Sequence, residues 1–183
     1  MHSASQVGGM RYLIPFLLLA TPLLAQDKTG PAIAALESGV ICPPESTGTR
    51  PAPDTVAGIT NVIVDEPPFV STVNKVPAVM GIGFGVKAMS ESAFGIDNVT
   101  MTITHPPMGD GRAKSQSFQT SISGVDSSIT FYQFDYEYEL LPGTWTMTAT
   151  DGDEVLYTTS FQVVPPNQVP ELAAICNFEE LLS

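Results

Sequence analysis

The amino-acid sequence predicts an all-β protein, an antiparallel immunoglobulin-like β-sandwich of about seven strands. Three observations predict this fold: apolar residues recur at every second position in several stretches, turn sequences rich in Gly, Pro and Asp separate these stretches, and no helical period occurs among them. A period of two places the apolar side chains on one face of a strand. Several such strands joined by short turns bury those faces by packing two sheets together.

The strand predictions follow the chain in order. The clearest pattern lies at residues 99–104 (VTMTIT), where Val, Met and Ile alternate with Thr. In residues 129–140 the apolar phase shifts near Phe131 and Tyr132, which indicates a β-bulge. The sequence DGD at residues 151–153 predicts a hairpin turn, because Asp-Gly tolerates the positive φ that such turns need. The predicted strands are residues 59–65, 76–88, 99–103, 118–122, 129–140, 145–149 and 155–164.

The N-terminal residues 1–25 are predicted to be a signal peptide. Arg11 precedes an apolar run at residues 13–24, which is about the length of a signal-peptide core and shorter than the roughly 20 residues of a membrane-spanning helix. We therefore expect a periplasmic or secreted protein with no membrane anchor after cleavage. A retained anchor is the competing interpretation, and Met10 is an alternative start of translation.

Three further segments complete the predicted domain organisation. Residues 26–57 are rich in Pro, Ser, Thr and Gly and are predicted to be an extended leader, in which only residues 33–36 form a short helical turn. Residues 58–166 are predicted to form the sandwich domain. Residues 167–183 are predicted to be a tail, either a short helix or irregular, held by Cys176.

The two cysteines are Cys42 and Cys176, near the two ends of the exported chain. In an exported protein a pair of cysteines is first interpreted as one disulfide. We therefore expect a Cys42–Cys176 bond that ties both ends to the domain. A metal-binding or redox-active thiol pair has no support, because the sequence contains no Cys-x-x-Cys and no histidine near either cysteine.

The composition limits the classes of partner. Among 183 residues there are 19 Asp and Glu against 7 Lys and Arg, a formal net charge of -12. This balance argues against nucleic acid and anionic lipid as partners, because both are bound by basic surfaces. With 43% hydrophobic and 14% charged residues, the chain is also unlike a wholly disordered protein. The negative charge is expected to serve solubility outside the cytoplasm.

Four ordered blocks resemble a known bacterial family. They are GVICPPESTGTRPAPDTVAG, VPAVMGIGFGVKA, ITHPPMG, and LLPGTWTMTATDGDEVLYTTSFQVVPP followed by Cys176. Together, over about residues 39–177, the chain is similar to the exported family called domain of unknown function 3859. The resemblance implies export and the β-sandwich, and it implies no activity.

His105 is the one histidine downstream of the predicted signal peptide, so any serine or cysteine nucleophile activated by histidine would have to use it. No Gly-x-Ser-x-Gly sequence is present to hold such a serine. His105 precedes Pro106 and Pro107, where a loop histidine packed on prolines is the ordinary interpretation. The sequence therefore predicts a protein that is not an enzyme and has no cofactor.

A metal site is the first alternative. His105 and Met108 have the soft ligand types of a copper(I) site, with methionines of neighbouring strands as further ligands. However, these methionines lie on apolar strand faces, where methionine fills gaps in a core. They are Met80, Met101 and Met147.

Carboxylates raise two further alternatives. Asp151, Asp153 and Glu154 share one turn and have the ligand chemistry of a calcium site, although the EF-hand spacing is absent and a solvated hairpin is the ordinary interpretation. Paired carboxylates would also serve a hydrolase, but their separation is a property of the fold and not of the sequence.

A glycine stripe is the least explained feature. Gly81, Gly83 and Gly85 alternate along one predicted strand and leave its backbone bare on one face. Glycine inside a strand usually indicates a close approach by another group. Side chains such as Tyr136 or Tyr138 cover the stripe as packing, or the stripe is a platform for a partner flanked by these tyrosines.

The leading hypothesis is therefore an exported, non-enzymatic and monomeric module that binds another protein or an envelope component through a sheet face or edge. The alternative is a metal- or small-ligand-binding protein that uses His105 with Met108 or the turn carboxylates. An unrecognised hydrolase is the remote alternative.

Overall fold

The computed structural model describes residues 27–63 and 65–182, and the predicted signal peptide at residues 1–25 lies outside them. The strands are β1 (Lys28–Thr29), β2 (Ile33–Ile41), β3 (Ser46–Pro51), β4 (Ile59–Ile63), β5 (Lys75–Pro77), β6 (Gly83–Ser90), β7 (Ile96–Met108), β8 (Ala113–Ile122), β9 (Ser128–Gln133), β10 (Gly143–Asp151) and β11 (Glu154–Val164). The larger sheet has the order β1-β11-β10-β7-β8, with β5 in parallel pairing beside β11. The smaller sheet has the order β2-β6-β9, and β3 and β4 form a separate hairpin.

Helical structure is short. One α-helix, α1, spans Glu171–Cys176, and 3₁₀ turns span Glu137–Glu139, Pro166–Gln168 and Glu179–Leu182. Within residues 27–63 and 65–182, no helix has the length and apolar character needed to cross a membrane.

The prediction of an all-β fold with antiparallel sheets is confirmed. β10 pairs antiparallel with both β7 and β11. In β7 the side chains of Val99, Met101 and Ile103 point inward and are fully buried, while the intervening threonines lie on the outer face. The alternation seen in the sequence thus follows the division between core and surface.

Aromatic rings join the two sheets at the centre of the core. The ring of Phe84 on β6 lies 5.7 Å from the ring of Trp145 on β10 and 4.7 Å from that of Phe161 on β11. All three side chains are fully buried. The indole N–H of Trp145 donates a 3.0 Å hydrogen bond to the carbonyl oxygen of Leu141, so its polar group is satisfied inside the core.

The predicted leader at residues 26–57 is wrong for much of its length, because β2 is a strand of the smaller sheet. It pairs antiparallel with β6 and places Val40 opposite Phe84. The alternation of inward and outward side chains in β2 is hard to recognise from the sequence, because the inward position at residue 38 is a small polar residue, Ser38, that is half-buried. The helical turn expected within the leader is therefore also wrong, and the sandwich begins with β1 rather than at residue 58.

The single strand predicted at residues 129–140 is wrong in its second half. β9 ends at Gln133, and the chain then turns through a 3₁₀ segment. The pairing of β9 with β6 runs without a shift in register, so the predicted bulge is absent. The apparent change of phase arises because Phe131 faces outward, where it packs on Gly85, while Tyr132 faces inward.

The strand predicted at residues 76–88 is divided between the two sheets. Its first part is β5 of the larger sheet, and its second part is β6 of the smaller one. Gly81 lies between them with a φ of +82°, a conformation that favours glycine and turns the chain from one sheet to the other.

The predicted Cys42–Cys176 disulfide is present in the structure, with a sequence separation of 134. It joins the end of β2 to α1, so the tail has the short helix that was one of its two predicted forms. Leu172 and Ala173 of this helix are buried in the core. On the chain-entropy model, closing so long a loop stabilises the folded state by about 5 kcal/mol.

Candidate functional site

The candidate site is a cavity on the open side of the sandwich. In residues 27–63 and 65–182, β8 pairs with β7 alone and β9 pairs with β6 alone, so each is an edge strand. The two edges are neighbours, because the hydroxyl oxygens of Thr120 on β8 and Thr130 on β9 lie 3.2 Å apart. A cavity of about 490 Å³, which we call the edge slot, is lined by residues 59–63 of β4, by residues 127–133 and by inward side chains of β8.

Three polar contacts hold the β3–β4 hairpin beside this opening. The backbone N–H of Val56 donates a 3.2 Å hydrogen bond to the side-chain oxygen of Gln116 on β8. The N–H of Ser117 donates a 3.1 Å bond to the carbonyl oxygen of Asp54. At the far end, the Asn61 amide donates a 2.7 Å bond to the Asp135 carboxylate just beyond β9. The hairpin is thus attached at both edges of the sandwich while the slot stays open between them.

Half of the backbone groups of β9 face the slot. The carbonyl oxygens of Thr130 and Tyr132 lie on the β6 side, close to Gly85 and Gly83. Because successive residues of an antiparallel strand turn their N–H and C=O groups to opposite sides, the intervening residues direct theirs away from β6. These groups have no strand partner in the described part of the chain. They belong to Ile129, Phe131 and Gln133.

The lining of the slot is partly apolar. Ile59 and Val62 on β4 are 39% and 40% exposed, although both are large hydrophobic residues. Phe118 on β8 and Tyr132 on β9 add half-buried aromatic rings. The slot can therefore accept apolar side chains as well as backbone hydrogen-bonding groups.

A buried carboxylate organises the polar end of the slot. Glu139 is 4% exposed, and its Oε1 atom accepts a 2.5 Å hydrogen bond from the phenolic O–H of Tyr132. Its Oε2 atom accepts the backbone N–H groups of Asp135 and Tyr136, at 2.7 and 3.0 Å. Gln116 donates a 3.2 Å bond to the same phenolic oxygen, which connects this cluster to β8. Glu139 is thus held by its own chain, and its role is to fix the turn that carries Asp135.

The pKa values at this end are shifted by burial. Burial raises the pKa of Glu139, and its hydrogen bonds with Tyr132 and the backbone oppose that shift. Burial also raises the pKa of Asp135, while the bond from Asn61 lowers it. The pKa of Tyr132 is raised by burial and by the charge of Glu139, so its phenol stays protonated and donates to the carboxylate.

The glycine stripe is covered by side chains of the two flanking strands. A Cβ atom at Gly83 would lie 2.7 Å from Cγ1 of Ile41 on β2, and one at Gly85 would lie 2.4 Å from Cβ of Phe131 on β9. The nearest atoms to Gly81 belong to Pro43. The stripe is therefore covered by packed side chains, which is one of the two interpretations of the sequence. The covering side chains are Pro43, Ile41 and Phe131 rather than the expected Tyr136 or Tyr138.

Tyr136 and Tyr138 instead stack on each other beside the edge slot. Their rings lie 5.2 Å apart and only 6° from parallel, and the two residues are 39% and 38% exposed. They belong to the turn whose first residue, Asp135, lines the slot. The pair thus presents aromatic surface next to a carboxylate.

His105 and Met108 lie in the core, with 6% and 3% exposure. The Nδ1 atom of His105 donates a 2.8 Å hydrogen bond to the carbonyl oxygen of Pro106, and Nε2 has no partner in the described residues. The imidazole lies 5.0 Å from the ring of Trp145, and burial lowers its pKa. Across residues 27–63 and 65–182, His, Cys, Asp and Glu form no group of three that is placed to hold a metal ion.

No sequence pattern marks the slot residues as a group, because they come from three separate parts of the chain: the β3–β4 hairpin with the residues that follow it, β8, and β9 with the turn after it. Gln116 and Asn61 carry no recognisable motif. The one local signal is the spacing of Asp135 and Glu139 within the aromatic run YQFDYEYEL, where a carboxylate that caps the preceding backbone N–H groups marks a turn rather than a strand.

Comparisons with known proteins agree with this architecture. The crystal structure of an immunoglobulin-like protein from Pseudomonas aeruginosa matches with a TM-score of 0.52 and 19% sequence identity, over 76% of this chain and 98% of that one. This likeness shows an immunoglobulin-like fold. No curated protein is significantly similar to the chain. The model of the family described as domain of unknown function (DUF3859) matches residues 30–163, from the β1–β2 turn almost to the end of β11, and the chain therefore belongs to the DUF3859 family.

Proposed function

We propose that this protein is an exported binding module that takes an extended segment of a partner protein as an additional strand along β9. One observation carries the proposal: backbone N–H and C=O groups of β9 face the edge slot without a strand partner in the described residues. Addition of a strand to a free sheet edge is a common mode of peptide recognition, because the backbone bonds supply affinity for any extended chain.

The composition of β9 supports this use of the edge. Free edges are commonly protected from pairing by Lys, Pro, inward charges or a bulge. The sequence of β9, SITFYQ, contains no charge and no Pro, and its register is regular. The β3–β4 hairpin lies beside this edge and lines the opposite wall of the slot. The hairpin would leave room at this edge for one extended chain and would exclude the edge of another sheet.

The size of the slot is in keeping with such a ligand. Its volume of about 490 Å³ lies within the range of roughly 300–1,000 Å³ that is usual for ligand sites. The exposed Ile59 and Val62 offer contacts for apolar side chains that project alternately from a bound strand.

We place this activity in the periplasm. The predicted signal peptide supports that location, and the Cys42–Cys176 disulfide is consistent with it, because such bonds persist in oxidising compartments. We further propose that the protein has no catalytic activity, since the buried carboxylate of the slot is held by hydrogen bonds from its own chain. We also propose that it is a monomer, because the β3–β4 hairpin beside β9 would keep the sheet of a second copy from this edge.

Selection from a displayed library of random peptides, followed by hydrogen exchange of the bound complex, tests the proposal. We expect the selected peptides to slow exchange of the amides of Ile129, Phe131 and Gln133. The substitution Gln133→Pro removes one of these N–H groups and should weaken binding at least tenfold, because proline cannot donate to an added strand.

The matched control is Ala34→Pro. Ala34 is exposed and occupies the register irregularity at the start of β2, on the opposite edge of the same sheet. This variant should bind the peptides like the wild type. The proposal is overturned if no peptide protects β9, or if Gln133→Pro and Ala34→Pro bind equally well while both remain folded by circular dichroism.

A further inference from the structure

The charges around the edge slot are unbalanced. Four acidic side chains line it against one basic side chain, Arg50. The Arg50 guanidinium already donates a 3.1 Å hydrogen bond to the hydroxyl of Thr60. Of the acids, Glu66 is paired with Lys87 at 2.6 Å. An uncharged ligand would leave the remaining negative charge of the slot without a counter-charge.

Asp135 is the acid placed to receive a ligand. It lies two residues beyond Gln133, the last residue of β9, so a strand added to this edge would pass beside it. Its Oδ2 atom accepts the bond from Asn61, and no ion pair with Asp135 occurs in residues 27–63 and 65–182. Glu139, by contrast, accepts hydrogen bonds from its own chain at both oxygens.

Aromatic surface lies beside this carboxylate. Tyr136 follows it directly and stacks on Tyr138, so the pair forms a flat platform. Burial raises the pKa of the Tyr138 phenol, and the charges of Glu139 and Asp135 raise it further. A carboxylate next to aromatic faces favours a cation, above all the planar guanidinium of arginine.

We infer that the segment bound by the edge slot carries a basic side chain, arginine or lysine, at the position that meets Asp135. Apolar side chains fill the slot beside Ile59 and Val62, and the cation pairs with the Asp135 carboxylate at the end of β9. This assignment rests on the proposed addition of a strand to β9. It identifies the partner as an extended segment in which apolar residues are followed or preceded by a basic one.

The tightest peptide from the library selection supplies the probe. It is synthesised in two forms, with its basic residue and with glutamine in that position, and the Kd of each is measured for the wild type and for Asp135→Asn. Glu137→Gln, which removes an exposed charge from the same turn, is the control. All proteins are compared by thermal unfolding, since the hydrogen bond from Asn61 can still be accepted by an asparagine at position 135.

We expect the glutamine form to bind the wild type and Glu137→Gln about tenfold more weakly than the basic form. For Asp135→Asn the two forms should differ less than twofold. The preference should also shrink as the salt concentration rises, because a partly exposed ion pair is screened.

The two proposals fail in different ways. The inference of a basic side chain is wrong if peptides protect the β9 amides but contain no basic residue, or if Asp135→Asn keeps the full preference for the basic form of the peptide. In either case the proposal of strand addition is unaffected. If the peptides leave the β9 amides unprotected, strand addition itself is wrong.

Discussion

The phenolic O–H of Tyr132 donates a 2.5 Å hydrogen bond to Oε1 of Glu139, and this bond joins β9 to the turn that follows it. The other oxygen of the carboxylate accepts two backbone N–H groups of the same turn. The phenolic oxygen also accepts a bond from Gln116 on β8. One polar cluster thus connects both edge strands of the sandwich and fixes the position of Asp135 at the slot.

Removal of the Tyr132 hydroxyl should destabilise the protein. Tyr132→Phe leaves Glu139 buried without its side-chain donor and leaves Gln116 without an acceptor, so we expect the free energy of unfolding to fall by about 1–3 kcal/mol. Urea denaturation measures this change. Tyr138→Phe is the control, because that hydroxyl lies on a partly exposed ring, and its effect should stay within about 0.5 kcal/mol. A Tyr132→Phe effect within about 0.5 kcal/mol would show that the hydrogen bonds of this hydroxyl contribute little to stability.

β7 and β10 of the larger sheet could be predicted from sequence, because residues 99–104 and 144–149 alternate Thr with apolar residues. β2 could not, since Ser38 and Gly39 interrupt the pattern and its place is set by pairing with β6. The edge slot could not be predicted from the sequence either. Asn61 and Asp135 meet only because the fold brings a hairpin beside an edge strand, and no local pattern encodes that contact.

The glycine stripe has a structural role that substitution can measure. A Cβ atom at Gly85 would lie 2.5 Å from the carbonyl oxygen of Thr130 and 2.4 Å from Cβ of Phe131, and neither can move without shifting β9. Gly85→Ala should therefore lower the free energy of unfolding by about 1–3 kcal/mol. Gly111→Ala, where the added atom meets nothing within 4 Å, should be close to neutral. A neutral Gly85→Ala would mean that β9 is not held against β6 as described.

Loss of the disulfide should lower the free energy of unfolding by more than Tyr132→Phe or Gly85→Ala does. The double variant Cys42→Ser, Cys176→Ser opens a loop with a sequence separation of 134 and should lose up to about 5 kcal/mol of stability. Urea denaturation of the oxidised wild type, the reduced wild type and the double variant measures the loss. The reduced wild type should match the variant. A double variant as stable as the oxidised protein would show that the bond does not restrict the unfolded chain.

Burial of His105 predicts a stability that depends on pH. Its pKa in the folded protein lies below the ordinary value of 6.5, so in the interval between the two values the unfolded chain binds more protons than the folded one. Stability from this group is complete above about pH 6.5 and declines as the pH falls through the folded pKa. Asp135 and Glu139 act in the opposite direction, because their raised pKa values favour the folded state at low pH.

Comparison with His105→Phe separates these contributions. The phenylalanine keeps a ring beside Trp145 but cannot be protonated, so the variant lacks the loss of stability that His105 causes as the pH falls from 7.5 to 5, while the contributions of Asp135 and Glu139 are the same in both proteins. The variant also loses the bond to the Pro106 carbonyl and should be less stable at pH 7.5. The difference in free energy of unfolding between the wild type and His105→Phe should therefore become smaller as the pH falls. Curves that stay parallel from pH 7.5 to pH 5 would show that the protonation of His105 is not linked to unfolding.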